Sequence, residues 1–356
     1  MLNFSGTKKI ALLVLLGAVY AGLMTGCATA PVEEKKVDIV WPLPPETPRI
    51  RYLDSYFGSS QVEVKTAGSL FADALLGTSD ESGKGLAKPY GVAVDKEGRL
   101  YVADTDLGKV AVFDFVAKKF RLVGESGLGI LSKPVGVVVD EAGRVFVTDV
   151  SQDRGIVFDK DGNFLFAVGK KGQLEQPVGI ALNEKLGRIY IVDTKKHNVN
   201  VFSMKDGEYL FDFGERGHQP GEFNFPTNVA VGRDGKVYVV DTLNFRVQVF
   251  DAEGKFVMKF GEVGDAFGSF SKPKGIALDS EGHIYVADSA FNNVQIFNDQ
   301  GRLLLFFTNL GGGKGETWGP AGMFIDNKDR IYLADQYNRR VNVFQYLPEK
   351  GGVPAK

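Results

Sequence analysis

The chain has 356 residues, with 42 Lys and Arg against 44 Asp and Glu, three histidines and a single cysteine. That balance excludes a basic field suited to nucleic acid, and one cysteine excludes a disulfide framework. The 27 Phe and 44 Gly point to many short strands joined by tight turns within one large domain.

Lys8 and Lys9 precede an apolar run from Ile10 to Tyr20 that is too short for a permanent membrane span, so residues 1–26 read as a signal peptide. Leu23-Met24-Thr25-Gly26 leads directly into Cys27, an arrangement that resembles the bacterial lipobox. The resemblance implies a diacylglycerol on the Cys27 thiol and cleavage in front of it. Several acyl chains, at about 0.8 kcal/mol per buried methylene, make such an anchor stable. Ala28, by the sorting rule of such lipoproteins, implies the outer membrane, on its periplasmic side or at the cell surface. Loss of the leader removes two lysines and no acid, which lowers the formal charge from −2 to −4. Residues 27–48 carry charges, five prolines and one short apolar patch, which predicts a lipidated tether and not a core.

From residue 88 onward six segments share Pro-x-Gly-(apolar)-x-(apolar)-Asp, then Tyr-Val-x-Asp, then Val-x-Val-Phe. The prolines are Pro89, Pro134, Pro177, Pro226, Pro273 and Pro320, and a second-strand aspartate follows each after 15 residues, or 16 in the third repeat. Nine residues beyond each aspartate stands Phe113, Phe158, Phe202, Phe250, Phe297 or Phe344. Apolar alternation and Asp-Gly or Glu-Gly turns such as Asp234-Gly235 make each unit a four-stranded antiparallel meander. One such sheet cannot cover both of its faces, so six packed around an axis bury one another. The predicted fold is all-β: a six-bladed β-propeller spanning 49–346. Its repeats, of which GIALDSEGHIYVADSAFNNVQIFNDQG is one, resemble NHL repeats over 88–346.

The last repeat ends at Val343-Phe344 without a fourth strand, and residues 49–58, RIRYLDSYFG, look like the missing one. They are expected to close the sixth blade and leave no long unpaired edge. Residues 59–87 form an insertion loop, since thirty residues separate Gly58 from Pro89 where other connections have about seven to eleven. Within it, Ser69–Leu76 has the pattern of a short amphipathic helix; 347–356 is a C-terminal tail.

Features common to all blades belong to the fold, so candidate function lies where blades differ. The aspartates Asp104, Asp149, Asp193, Asp241, Asp288 and Asp335 each precede a turn, where a carboxylate satisfies backbone donors. Lys109, Arg154, Arg246 and Arg340, with Asn198 and Asn293 at the same position, suggest hydrogen bonds between blades. The variable loops, at the turn after each aspartate and the connection into each first strand, fall at one end of the ring. That end carries Tyr90, Leu107, Lys196, His197, Asn228, Phe245, Phe291, Trp318 and Tyr337, and Asn228 stands where five blades have glycine. Such a rim suits recognition of an envelope protein, peptide or glycan by a monomeric, noncatalytic scaffold without cofactor.

The resemblance also implies an alternative. Some NHL-type propellers, the peptide-amidating and streptogramin lyases among them, use axial histidines for metal binding or proton transfer. His197, His218 and His283 have no ligand spacing, and no CxxCH, GxSxG or phosphate loop occurs. A metal-dependent lyase or hydrolase would need three metal-capable side chains on the channel wall; an aliphatic or glycine wall would not serve.

Overall fold

The computed structural model describes residues 38–63 and 84–348. The leader, Cys27 and the rest of 27–37, the expected Ser69–Leu76 helix and residues 349–356 lie outside the described residues. Among the described residues no helix is long and apolar enough to cross a membrane.

Six antiparallel sheets form the six-bladed propeller expected from the repeat. The innermost strands are Pro89–Val94, Pro134–Val139, Pro177–Asn183, Pro226–Val231, Pro273–Leu278 and Pro320–Ile325. Each ends its sheet and pairs with one neighbour only, so its other edge faces the axis. The four-strand meander follows from two-residue alternation between turns: in Val237–Asp241 and Arg246–Phe250 every side chain is buried, because both faces meet another blade.

The core is correspondingly divided. Among the described residues six hydrophobic clusters occur, and each spans two neighbouring blades; Tyr101, Val110 and Val112 of the first blade, for example, pack with Val145, Val147 and Phe158 of the second. The six repeat phenylalanines, Phe113 to Phe344, are all buried in these seams. Five repeat glycines let the innermost strands converge. A Cβ on Gly275 would fall on the Ala321 carbonyl oxygen, and one on Gly91 on that of Val135.

Ring closure is antiparallel, as expected: Ile50–Tyr56 pairs with Arg340–Tyr346 in the register Ile50 with Tyr346 and Tyr56 with Val341. The expected boundary at residue 48 is corrected, because Val40–Trp41 adds a fifth strand outside it, with Val40 opposite Arg51 and Trp41 opposite Ile50. Trp41 packs edge-on against Phe344 at 5.8 Å and lies 6.0 Å from Phe307 of the fifth blade. The apolar patch within 27–48 therefore belongs in part to the propeller. Tyr56 reaches the first blade at Phe113 and Phe115, across the closing seam.

Candidate functional site

The six strand-end aspartates are fully buried and serve turns. Asp288 accepts hydrogen bonds from the backbone N–H groups of Ser271 and Lys272, at the entry to its blade, and from Ala290 and Phe291 in the turn. Asp104 does the same with Ala87, Lys88, Asp106 and Leu107. Each carboxylate thus ties the entering connection to the second turn, and this positions both variable loop sets at one end.

Five residues beyond the aspartate, the blades diverge. Arg246 donates through Nε to Asp241 at 2.8 Å and through its other nitrogens to the carbonyls of His218, Gln219 and Glu222. Arg340 repeats this with Asp335, Gly312, Gly313 and Glu316. The bonds therefore staple a blade to its own entering connection; only Lys109 reaches the next one, at the Leu131 carbonyl. In the second blade Gln152 takes over the staple, donating to Ile130 O and Asp149, while Arg154 holds only Gln152 and its Nε is buried without a partner.

An axial cavity of about 330 Å³ is lined by the innermost strands of all six blades. Its wall is mostly valine, isoleucine and glycine, with Met323 and Phe324; Tyr90, Asn228 and Glu184 supply its polar side chains. Glu184 lies toward the far end, where its carboxylate accepts the Glu141 N–H at 3.2 Å and burial raises its pKa. Among the described residues no group of three or more His, Cys, Asp or Glu is placed to hold a metal ion.

The nine expected recognition residues divide by burial. Trp318 and Tyr337 are 52% and 55% exposed and form a tilted ring pair at 5.3 Å in the sixth blade. Lys196 is exposed, with its ammonium donating to the carbonyls of Gly172 and Gln173. Tyr90 is half-buried on the cavity wall, and desolvation pushes its phenol up to about 12. Asn228 also lines the cavity, its Oδ1 accepting the Val229 N–H. Leu107 and Phe291 are half-buried in their turns. Phe245 and His197 sit in left-handed conformations that turn the side chains inward: Phe245 packs on the seam between the fourth and fifth blades, and His197, 6% exposed, accepts the Phe225 N–H. These two face the fold more than the solvent.

Sequence comparison passed over Lys274, at the repeat position otherwise held by Tyr90, Val135, Val178, Thr227 and Ala321. Its Nζ donates to Gln336 Oε1 at 3.4 Å and stands 5.8 Å from the centre of the Tyr90 ring. Desolvation, then the like charges of Lys272 and Lys88, hold its ammonium down to about 8; Asp288 acts weakly the other way. The sequence signal was available: Lys274 is the one charge in that ring of six.

Residues 223–250 and 270–297 match the NHL repeat family, and 180–235 match a family described as 6-bladed beta-propeller. The chain is similar to the E3 ubiquitin-protein ligase NHLRC1 of Rattus norvegicus, 36% identical over 88 residues, or 25% of this chain and 22% of that protein. NHL repeat-containing protein 3 of Homo sapiens is 37% identical over 93 residues, 24% of this chain and 26% of its own. The chain thus spans about a quarter of the curated relatives it matches. Among solved structures, a streptogramin B lyase superposes with a TM-score of 0.57 at 14% identity, covering 74% of this chain and 94% of that one. An auxiliary nutrient binding protein from Bacteroides thetaiotaomicron gives 0.57 at 16%, covering 74% and 70%. At such identities the likeness shows fold alone. The six sheets around one axis make the chain a six-bladed β-propeller, and two of its repeats match the NHL repeat family.

Proposed function

We propose that the protein is a noncatalytic recognition propeller, tethered to a membrane, that meets a protein, peptide or glycan partner at the cell envelope through the Trp318 end. The observation that carries this reading is the exposed Trp318–Tyr337 pair beside the cavity wall residue Tyr90 and the desolvated Lys274. Large aromatic side chains left in water beside a concavity are the usual anchors of an interface, and truncating one costs about 2 kcal/mol or more of binding. The likeness to a ubiquitin ligase over a quarter of the chain favours a protein partner. The proposal includes a lipid on Cys27, in the outer membrane, on the periplasmic side or at the cell surface.

Two variants test it. Trp318→Ala with Tyr337→Ala should keep the melting curve while losing partners crosslinked in intact envelopes; full retention of those partners overturns the recognition face. Cys27→Ala should leave a folded propeller in the soluble fraction, and its recovery in membranes at the wild-type level overturns the anchor.

A further inference from the structure

Lys274 lacks what a desolvated ammonium needs. No ion pair forms at it among the described residues, and its one acceptor is a neutral amide at a long 3.4 Å. Asp288, the carboxylate that acts on it, already accepts four backbone N–H groups. Lys272 and Lys88 add repulsion. Lys274 is half-buried, and withdrawing a cation from water without a counter-charge is unfavourable unless something outside the chain completes it. Arg246 and Arg340, by contrast, each have a buried carboxylate as partner.

The surroundings restrict the missing group. An ammonium with two further lysines near enough to repel it calls for an anion. Gln336, buried beside Lys274, adjoins Tyr337, whose N–H donates to Trp318 O, so the aromatic pair and the cation share one corner of the mouth. The innermost strands beneath have free edges toward the axis, and edge N–H and C=O groups match an extended main chain. The axial cavity of about 330 Å³, which meets this corner through Tyr90, is at the small end of ligand sites, enough for one or two residues.

We infer that the channel mouth binds the C-terminal carboxylate of a partner peptide, with Lys274 as its counter-ion, Gln336 and Tyr90 flanking it and Trp318 covering the preceding residue. This rests on the recognition face proposed above and names its ligand chemistry. Binding is coupled to protonation. Because the free ammonium titrates near 8, the affinity is full below pH 7 and falls as the pH rises through and beyond 8.

The test titrates the intact protein with N-acetyl-Ala-Val as free acid, with the same dipeptide as C-terminal amide, and with glucuronate, by calorimetry at pH 6.5 and 9. The free acid should bind at least tenfold more tightly than the amide, and more tightly at pH 6.5. Lys274→Gln should remove the preference for the acid and its pH dependence while the melting curve stays intact; Lys274→Met, which keeps the stem, serves if the Gln variant unfolds. Free-acid binding should also slow acylation of Lys274 by an activated ester, read by peptide mass mapping. Equal binding of acid and amide, or an unchanged preference in both variants, overturns the inference. Glucuronate binding without dipeptide binding overturns the peptide in favour of an acidic glycan. If Lys274→Gln still captures envelope partners that the Trp318 and Tyr337 variant loses, the carboxylate seat fails and the recognition face stands; if both variants capture them, the face itself fails.

Discussion

Replacing Arg340 by Ala should be costly, and replacing Arg154, its counterpart in the second blade, should not. Arg340 and Asp335 have side-chain exposures of 5% and 0%, so the pair is sealed from water. Removing one partner of a buried pair typically costs about 3–5 kcal/mol. Asp335 would keep its bonds from Trp318 N, Asn338 Nδ2 and Asn342 Nδ2, which argues for the lower figure, about 3 kcal/mol. At about 2 °C per kcal/mol for a domain of this size, the melting midpoint falls by about 6 °C. In the second blade Asp149 is satisfied by Ser132, Lys133, Ser151 and Gln152, and Arg154 Nε is itself orphaned. Its loss removes an unsatisfied donor along with some packing, and the net change should stay within about 1 kcal/mol, or about 2 °C. Near-UV circular dichroism melts of both variants at one scan rate give the comparison. Equal losses would show that the guanidinium at this position acts through its charge on the whole blade end and not through the bonds counted here.

Gly275→Ala should be among the most damaging single-methyl changes, above about 3 kcal/mol, because its Cβ meets the Ala321 carbonyl of a neighbouring strand that cannot retreat; Asn228→Gly, at the equivalent place in the fourth blade, should cost under about 1 kcal/mol, and similar melts for the two would refute the close-approach argument. His283 Nδ1 donates to the Asp279 carboxylate at 2.8 Å, and this hydrogen bond, with Glu281 and Asp329 adding to it against desolvation, raises its pKa. A raised folded pKa means that the pair's contribution is complete below the unfolded value of about 6.5 and is lost as pH rises through the folded one. The wild-type midpoint should therefore fall relative to His283→Arg between about pH 6 and 8, by the equivalent of about 1 kcal/mol; parallel curves would refute it.

Much of this architecture was legible because a repeat states the same constraint six times. Pro, Asp and Phe recur where a strand starts, a turn is tied and a seam is filled, and each of these jobs needs one residue type regardless of blade. Residues 50–56 could be assigned to the sixth blade because they repeat the alternation of the outer strands. Val40–Trp41 could not, since two residues ahead of Pro42 carry no period; their strand exists because Trp41 finds Phe307 and Phe344. The candidate face was legible as an end of the ring and less so as side chains. Residue type alone does not reveal a left-handed φ, and that conformation is what turns Phe245 onto a seam.

The side chains that depart from the repeat at the channel mouth are not spread evenly. Tyr90 stands in the first blade, Asn228 in the fourth, Lys274 in the fifth, and Gln336, Tyr337 and Trp318 in the sixth, while the second and third blades bring valine and glycine to the same level. Nothing in the fold requires this bias. The seams hold the blades together below the mouth, and the buried aspartates hold the loops, so the mouth is free to vary without loss of stability. A ring with six equal sectors offers a ligand six equivalent poses, and none is favoured. Concentrating a half-buried cation, one amide and two exposed rings in adjoining sectors would remove that degeneracy, because a ligand with a charged end and an apolar neighbour satisfies the groups in one orientation only. On the proposed reading an internal carboxylate at Lys274 would repair its electrostatics and cancel the preference for an external one.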